Sequence, residues 1–139
     1  MTLKTLIEKL RDIALRTPNV RSVIVNDVYR ENAFKGIEYG VVAILQDTHT
    51  VSENIVRYSL NLVYIDRLTR DASNEVDVQS DGMLALTNII NTFIGENDNA
   101  TLDGEVEFTA FNQRFADDCA GVYAAVNIEV ESNFGICYL

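Results

Sequence analysis

The residues of this 139-residue chain whose types best suit chemistry are one histidine, two cysteines and an adjacent pair of aspartates. His49 lies in a polar stretch without a second histidine or a cysteine nearby, so a zinc site or a Ser-His-Asp triad has too few partners. Cys119 and Cys137 lack CxxC spacing, and we interpret both as packing residues. The seven glycines are scattered, so no phosphate-binding glycine pattern occurs. We therefore predict no catalytic residue, metal ligand or cofactor.

Two acidic segments resemble cation sites in composition. Asp117 and Asp118 could bind a divalent cation or share a proton, but adjacent residues usually point apart. A turn in which one of them caps backbone N–H groups explains the pair better. The loop 97–103 resembles a calcium loop, yet Leu102 occupies the position that needs glycine and no glutamate follows at the twelfth place. Neither segment predicts a metal site.

The formal net charge of −10 argues against sequence-independent DNA binding, which depends on Lys and Arg neutralising phosphates. The charge is uneven, since no lysine follows Lys35 and nine carboxylates face one basic residue, Arg114, from Gly95 onward. The asymmetry fits a plain solubility surface by default, and a candidate acidic working surface is the alternative. Its members are Asp98, Asp103, Glu105, Glu107, Asp117 and Asp118.

Hydrophobic periodicity predicts a helix capped by Thr2 and ending near Thr17, because apolar residues recur at three-and-four spacing after the cap. A second helix is predicted over Val76–Ile94, with Gly95 as its cap. Its buried stripe would comprise Met83, Leu86, Ile89, Ile90 and Phe93. Runs of alternating or β-branched residues predict five strands: Val20–Val28, Gly36–Gln46, Ile55–Asp66, Val106–Phe111 and Ala120–Glu131.

The predicted order is α-β-β-β-α-β-β. Short links between strands favour antiparallel pairing, and the polar link 47–53 joins the second and third strands as a hairpin with a wide loop. The sequence therefore predicts an α+β fold, a two-layer sandwich of a mostly antiparallel sheet and two helices, with residues 1–139 as a single domain. No apolar run approaches the roughly 20 residues of a membrane span and no signal peptide is recognisable, so we expect a cytoplasmic protein without a membrane partner.

The third strand is apolar on both faces near its end, whereas a sheet packed on one side only would be polar outside. Leu62, Val63, Tyr64 and Ile65 are therefore a candidate oligomer interface. A neighbouring subunit is one candidate cover for the second face, and a loop or the apolar C-terminal segment 134–139 is the alternative. If this strand is an interface, replacing Leu62 and Val63 by Asp should break assembly more than folding.

Three segments carry a resemblance to a known group of proteins: Tyr64-Ile-Asp-Arg-Leu-Thr69, Gln79-Ser-Asp-Gly82 and Phe115-Ala-Asp-Asp-Cys-Ala-Gly-Val-Tyr123. They resemble segments of small virion or prophage proteins of Bacteroides-type bacteria. The order of elements over nearly the whole chain is also similar to that of tail terminator proteins of long-tailed phages. Those proteins form rings, commonly hexameric, that cap the tail tube and join it to the head.

The resemblance implies a structural virion protein, not an enzyme, whose partners are further copies of itself and other phage tail or neck proteins. It implies a location in the bacterial cytoplasm during assembly and then in the virion. The long hairpin would extend a neighbour's sheet, and the acidic residues could line a lumen through which DNA slides without specific binding. The alternative is a small cytoplasmic, non-enzymatic binding or accessory domain of prophage origin.

Overall fold

The computed structural model describes residues 1–26, 38–69, 71, 73–112 and 119–131. In chain order its elements are α1 (Leu3–Arg16), β1 (Ser22–Val25), β2 (Val41–Gln46), β3 (Thr50–Val51), β4 (Ile55–Arg67), α2 (Glu75–Glu96), β5 (Ala100–Leu102), β6 (Glu107–Asn112) and β7 (Cys119–Glu131). Two helices and a mostly antiparallel sheet confirm the predicted α+β fold and the order of the main elements. The short strands β3 and β5 lie in links that the sequence predicts as loops.

The centre of the seven-stranded sheet is the long antiparallel pair of β4 and β7, which are in register from Ile55 opposite Glu131 to Arg67 opposite Cys119. The strand order is β1-β2-β4-β7-β5, with β3 also paired to β4 and β6 also paired to β7. β2 and β4 form the predicted hairpin. β1 differs from the other strands, because it pairs with β2 in parallel.

Both helices pack on one face of this sheet, which we call the helix face. Thr2 caps α1 as predicted, since its side chain accepts a hydrogen bond from the Thr5 N–H. The inward stripes of the helices bury apolar side chains against the sheet: α2 lies over β4 and β7, and α1 lies beside α2 against β1 and β2. They comprise Leu6, Leu10, Ile13 and Ala14 of α1 and Val78, Gly82, Ala85, Leu86, Ile89, Ile90 and Phe93 of α2.

Two details of α2 differ from the prediction. Met83 is 45% exposed, because the glycine before it, Gly82, faces the sheet and lets the Tyr64 ring approach the helix. The helix continues past Gly95 to Glu96, and Asn97 ends it. The buried Asn97 side chain donates to the Phe93 carbonyl oxygen and accepts from Lys9 Nζ, which joins the end of α2 to α1.

The other face of the sheet, the open face, is apolar only at one end. A second buried cluster lies there and contains Ile24, Val41, Ala43, Val63, Ile65, Phe111 and Cys119. At the other end the open face carries partly exposed polar side chains, including Arg57, Ser59 and Asn127. Within the described part of the chain, neither helix is long and apolar enough to cross a membrane.

Candidate functional site

A cleft with a volume of about 600 Å³ lies where β4 ends. It is lined by Asn19, Arg21, Glu38, Tyr39, Tyr64, Asp66, Arg67 and Asp81. Three parts of the fold meet there: the link from α1 to β1, the start of β2, and the end of β4 beside the second turn of α2. The cleft is therefore built from residues that are distant in sequence.

Two residues with positive φ shape one wall of the cleft. Asn19 (φ 72°) turns the chain after α1, and Gly40 (φ 89°) precedes β2. The Arg21 N–H donates to the Gly40 carbonyl oxygen at 2.8 Å, which ties the two segments together. A Cβ on Gly40 would lie 2.5 Å from the Asn19 carbonyl oxygen, so this approach requires glycine.

Tyr64 forms the floor of the cleft and is 1% exposed. A Cβ on Gly82 would lie 2.8 Å from Tyr64 Cδ1, and a Cβ on Gly121 would overlap the Tyr64 carbonyl oxygen. Tyr64, Gly82 and Gly121 belong to the three segments that carry the sequence resemblance. Described residues of these segments, far apart along the chain, thus pack together around one tyrosine, which joins β4, α2 and β7.

The cleft brings together charges of both signs. The Arg67 guanidinium lies over the Tyr39 ring, with Cζ 4.4 Å from the ring centroid. The Tyr64 hydroxyl donates to the Asn19 carbonyl oxygen at 3.4 Å and to Asp66 Oδ2 at 3.5 Å. Burial, together with the negative charges of Asp66 and Asp81, raises the pKa of Tyr64 well above its usual value. This phenol therefore stays protonated and acts as a hydrogen-bond donor.

The described lining of the cleft can bind a ligand through charge and hydrogen bonds. Its described lining supplies two guanidinium groups, three carboxylates, one amide and two tyrosines, with no histidine, cysteine or lysine. Histidine, the side chain whose ordinary pKa lies closest to neutral pH, is therefore absent from the described lining. Because the lining contains both guanidinium groups and carboxylates, a small zwitterionic ligand suits the cleft better than a purely anionic ligand.

The candidate interface residues Leu62, Val63, Tyr64 and Ile65 are at most 4% exposed in the single chain. Leu62 and Tyr64 belong to the core under the helices, whereas Val63 and Ile65 belong to the cluster on the open face. Replacing Leu62 and Val63 by Asp would bury unpaired carboxylates, so loss of folding is now the expected result. The apolar C-terminal segment 134–139 lies outside the described residues.

Members of the candidate acidic surface lie around β5 and β6. Asp98, Glu105 and Glu107 are exposed. Asp103 forms an ion pair with Arg57 of β4, and both side chains are partly exposed. Asp117 and Asp118 lie outside the described residues. The four described carboxylates thus lie at one end of the sheet. Arg57, which pairs with Asp103, comes from a strand that is distant in sequence.

His49 has a structural position. Its Nδ1 accepts a hydrogen bond from the Ser59 N–H at 3.3 Å, and its Nε2 lies 3.1 Å from Gln46 Oε1. Because Nδ1 is an acceptor, the proton lies on Nε2 and is donated to Gln46. The ring also contacts Tyr58 edge to face, with centroids 5.5 Å apart. In the described ranges, no three His, Cys, Asp or Glu side chains gather closely enough to hold a metal ion.

Sequence reasoning missed the cleft, although some of its residues lie in segments that it singled out. Asp66 and Arg67 belong to the Tyr64–Thr69 segment, and Asp81 belongs to the Gln79–Gly82 segment. A charged pair directly after a buried strand is the available signal, since strand ends commonly carry binding residues. Arg21 and Glu38 give no such signal, because only the sheet brings the start of β1 next to the start of β2.

No family model matches this sequence, and no curated protein matches it in a sequence search.

Proposed function

We propose that the protein is a structural component of a phage tail or neck, similar to a tail terminator, which assembles with itself into a ring. The observation that carries the proposal is the packing around Tyr64. Described residues of the three segments that resemble virion proteins, Gly82 and Gly121 among them, pack against Tyr64 across β4, α2 and β7. The similar segments therefore belong to one contact region of the fold. If the sequence similarity were accidental, the three segments would have no reason to lie together.

The surface charge suits this role. A ring that passes DNA needs a lining that does not grip phosphates, and carboxylates repel them. Asp98, Glu105 and Glu107 are exposed at one end of the sheet, and the chain carries a formal net charge of −10. We propose that carboxylates of this end that stay uncovered in the ring, such as Asp98, line the lumen, so that DNA passes without specific contacts.

The test is the solution mass of the purified protein, measured by light scattering over a dilution series. We expect a mass of five or more copies, or one that grows with concentration, and a particle with a central hole in electron micrographs. A single copy at every concentration, also in the presence of isolated tail tubes, would overturn the proposal.

A second candidate function is a small non-enzymatic binding domain, which the cleft beside Tyr64 favours. A volume of about 600 Å³ is within the range of small-molecule sites. This reading predicts a monomer or dimer whose thermal stability rises with a zwitterionic ligand such as a free amino acid. Replacing Arg67 by Ala would remove that rise, whereas replacing exposed Arg11 of α1 by Ala would leave it unchanged.

A further inference from the structure

The described part of the sheet ends in two edges. Among the described residues β1 pairs only with β2, and at the other end β5 and β6 pair only with β7. An edge strand presents backbone N–H and C=O groups to which another strand can add. A second copy of the chain could therefore extend the sheet at either end.

The two edges carry opposite charge. Residues 1–26, which contain α1 and β1, hold five basic residues and two carboxylates, a formal net charge of +3. Residues 97–112, which contain β5 and β6, hold four carboxylates and no basic residue. The segment at one end of the sheet thus has a net positive charge and the segment at the other end a net negative charge, although the whole chain is strongly acidic.

The basic side chains of α1 are exposed and lie on two flanks of the helix. Lys9 bonds Asn97 and Arg16 bonds Glu96, so these two side chains lie on the flank of α1 that faces α2. At 100° per residue, Lys4 and Arg11 lie on the flank away from α2, with Glu8 near them. Both are exposed. We call α1 and β1 together the basic edge.

On the acidic edge, α2 lies beside β6. Gln79 Nε2 donates to the Phe111 carbonyl oxygen at 3.3 Å, and Asn112 Nδ2 donates to Glu75 Oε1 at 2.8 Å. The solvent side of α2 has no ionisable residue from position 82 to position 95. It exposes Val76, Met83 and Leu84, at 75%, 45% and 67%. We call α2, β5 and β6 the acidic edge, which combines carboxylates with an uncharged apolar flank.

We infer that the acidic edge of one copy binds the basic edge of a second copy, head to tail. Opposite charges then meet in a molecule whose net charge otherwise opposes association, and the apolar side chains of α2 leave water. A contact between two different surfaces repeats from copy to copy and closes into a ring when the rotation allows it. The inference deepens the proposed function and rests on it for the identity of the partner.

The experiment reverses the charges and measures solution mass by light scattering, with circular dichroism to verify folding. The acidic-edge variant is Glu105→Lys with Glu107→Lys, and the basic-edge variant is Lys4→Glu with Arg11→Glu. All four positions are exposed, so both variants are expected to fold. Each variant should raise the concentration at which half of the chains are assembled by about tenfold or more.

The matched control is Asp47→Lys with Glu53→Lys, which changes the net charge as the acidic-edge variant does but lies in the exposed β2–β4 connection. The control should assemble as the wild type does. A chain that carries all four edge substitutions should regain assembly, because its edges are again complementary. The two variants mixed in equal amounts should also regain assembly, as alternating copies, because every head-to-tail contact between unlike variants joins edges of opposite charge.

Unchanged assembly of both edge variants would overturn the head-to-tail contact while leaving the ring proposal intact. A wild-type protein that stops at two copies would overturn both, because a head-to-tail contact does not end at a dimer. A wild-type protein that stays a single copy at every concentration would overturn the contact, and the tail-tube experiment would then decide the proposed function separately.

Discussion

The two faces of strand β4 differ in how much of their length is buried in the protein. On the helix face Val56, Tyr58, Leu60, Leu62 and Tyr64 are all at most 4% exposed. On the open face only the last part is buried, whereas Arg57, Ser59 and Asn61 are partly exposed. Core packing therefore restricts the side chains along the whole helix face of β4. On the open face it restricts only the buried half.

The polar half of the open face is ordered by side-chain contacts instead of by apolar burial. Ser59 Oγ donates to Asn127 Oδ1 at 2.6 Å, between the paired strands β4 and β7. Arg57 reaches across the sheet to Asp103. Such contacts stabilise a fold only slightly when they are exposed, so this half can change with little effect on folding.

The largest expected effect concerns the point where β4 and β7 approach most closely. Gly121→Ala should destabilise the protein by more than about 4 kcal/mol, because the added methyl overlaps the Tyr64 backbone, which cannot move aside. Gly95→Ala is the control, since no atom lies within 4 Å of its added Cβ and helix propensity predicts a gain of about 0.5–1 kcal/mol. Urea unfolding measures both. Equal stability of the two variants would contradict the assigned packing.

The next effect compares neighbours on opposite faces. Leu60→Ala should cost about 2–5 kcal/mol, because Leu60 is 1% exposed in the core. Asn61→Ala, on the polar half of the open face, should change stability by no more than about 0.5 kcal/mol. Ile65→Ala, on the buried half of that face, should resemble Leu60→Ala. A cost for Ile65→Ala as small as that for Asn61→Ala would show that this half does not stabilise the fold.

A third effect depends on pH. The pKa of Tyr64 is raised in the folded state, so its neutral form stabilises the fold fully below the unfolded pKa of about 10, and this contribution is lost as pH rises further. Stability of the wild type should fall by at most about 1.4 kcal/mol per pH unit from this group above pH 10. Tyr64→Phe keeps the ring and should show a shallower fall in urea unfolding at pH 9, 10 and 11. Identical slopes would contradict the burial of this hydroxyl.

The smallest effect concerns the ion pair of Arg57 and Asp103. Their side chains are 42% and 37% exposed, so a double-mutant cycle with Arg57→Met and Asp103→Asn should give a coupling energy of about 0.2–1 kcal/mol. The coupling should shrink at high salt, because exposed charges are screened. A coupling above 2 kcal/mol would mean that this end of the open face contributes to the fold as the helix face does.

Local periodicity was sufficient to predict most elements. The spacing of Leu6, Leu10 and Ile13 marks the inward stripe of α1, and alternation from Ile55 onward marks β4. Both patterns arise from one chain segment facing one core, so they can be recognised without knowing the neighbour. The short strands β3 and β5 were missed because two or three residues carry too little pattern.

The sequence alone also determined the uneven distribution of charge, which places basic residues early and carboxylates late. Tertiary structure decided which of these residues meet. The parallel pairing of β1 with β2, the convergence of Tyr64, Gly82 and Gly121, and the cleft beside them depend on contacts between distant segments. The same holds for the opposite charges of the two sheet edges, because strand order is set by packing of the whole core and leaves no local periodic signal.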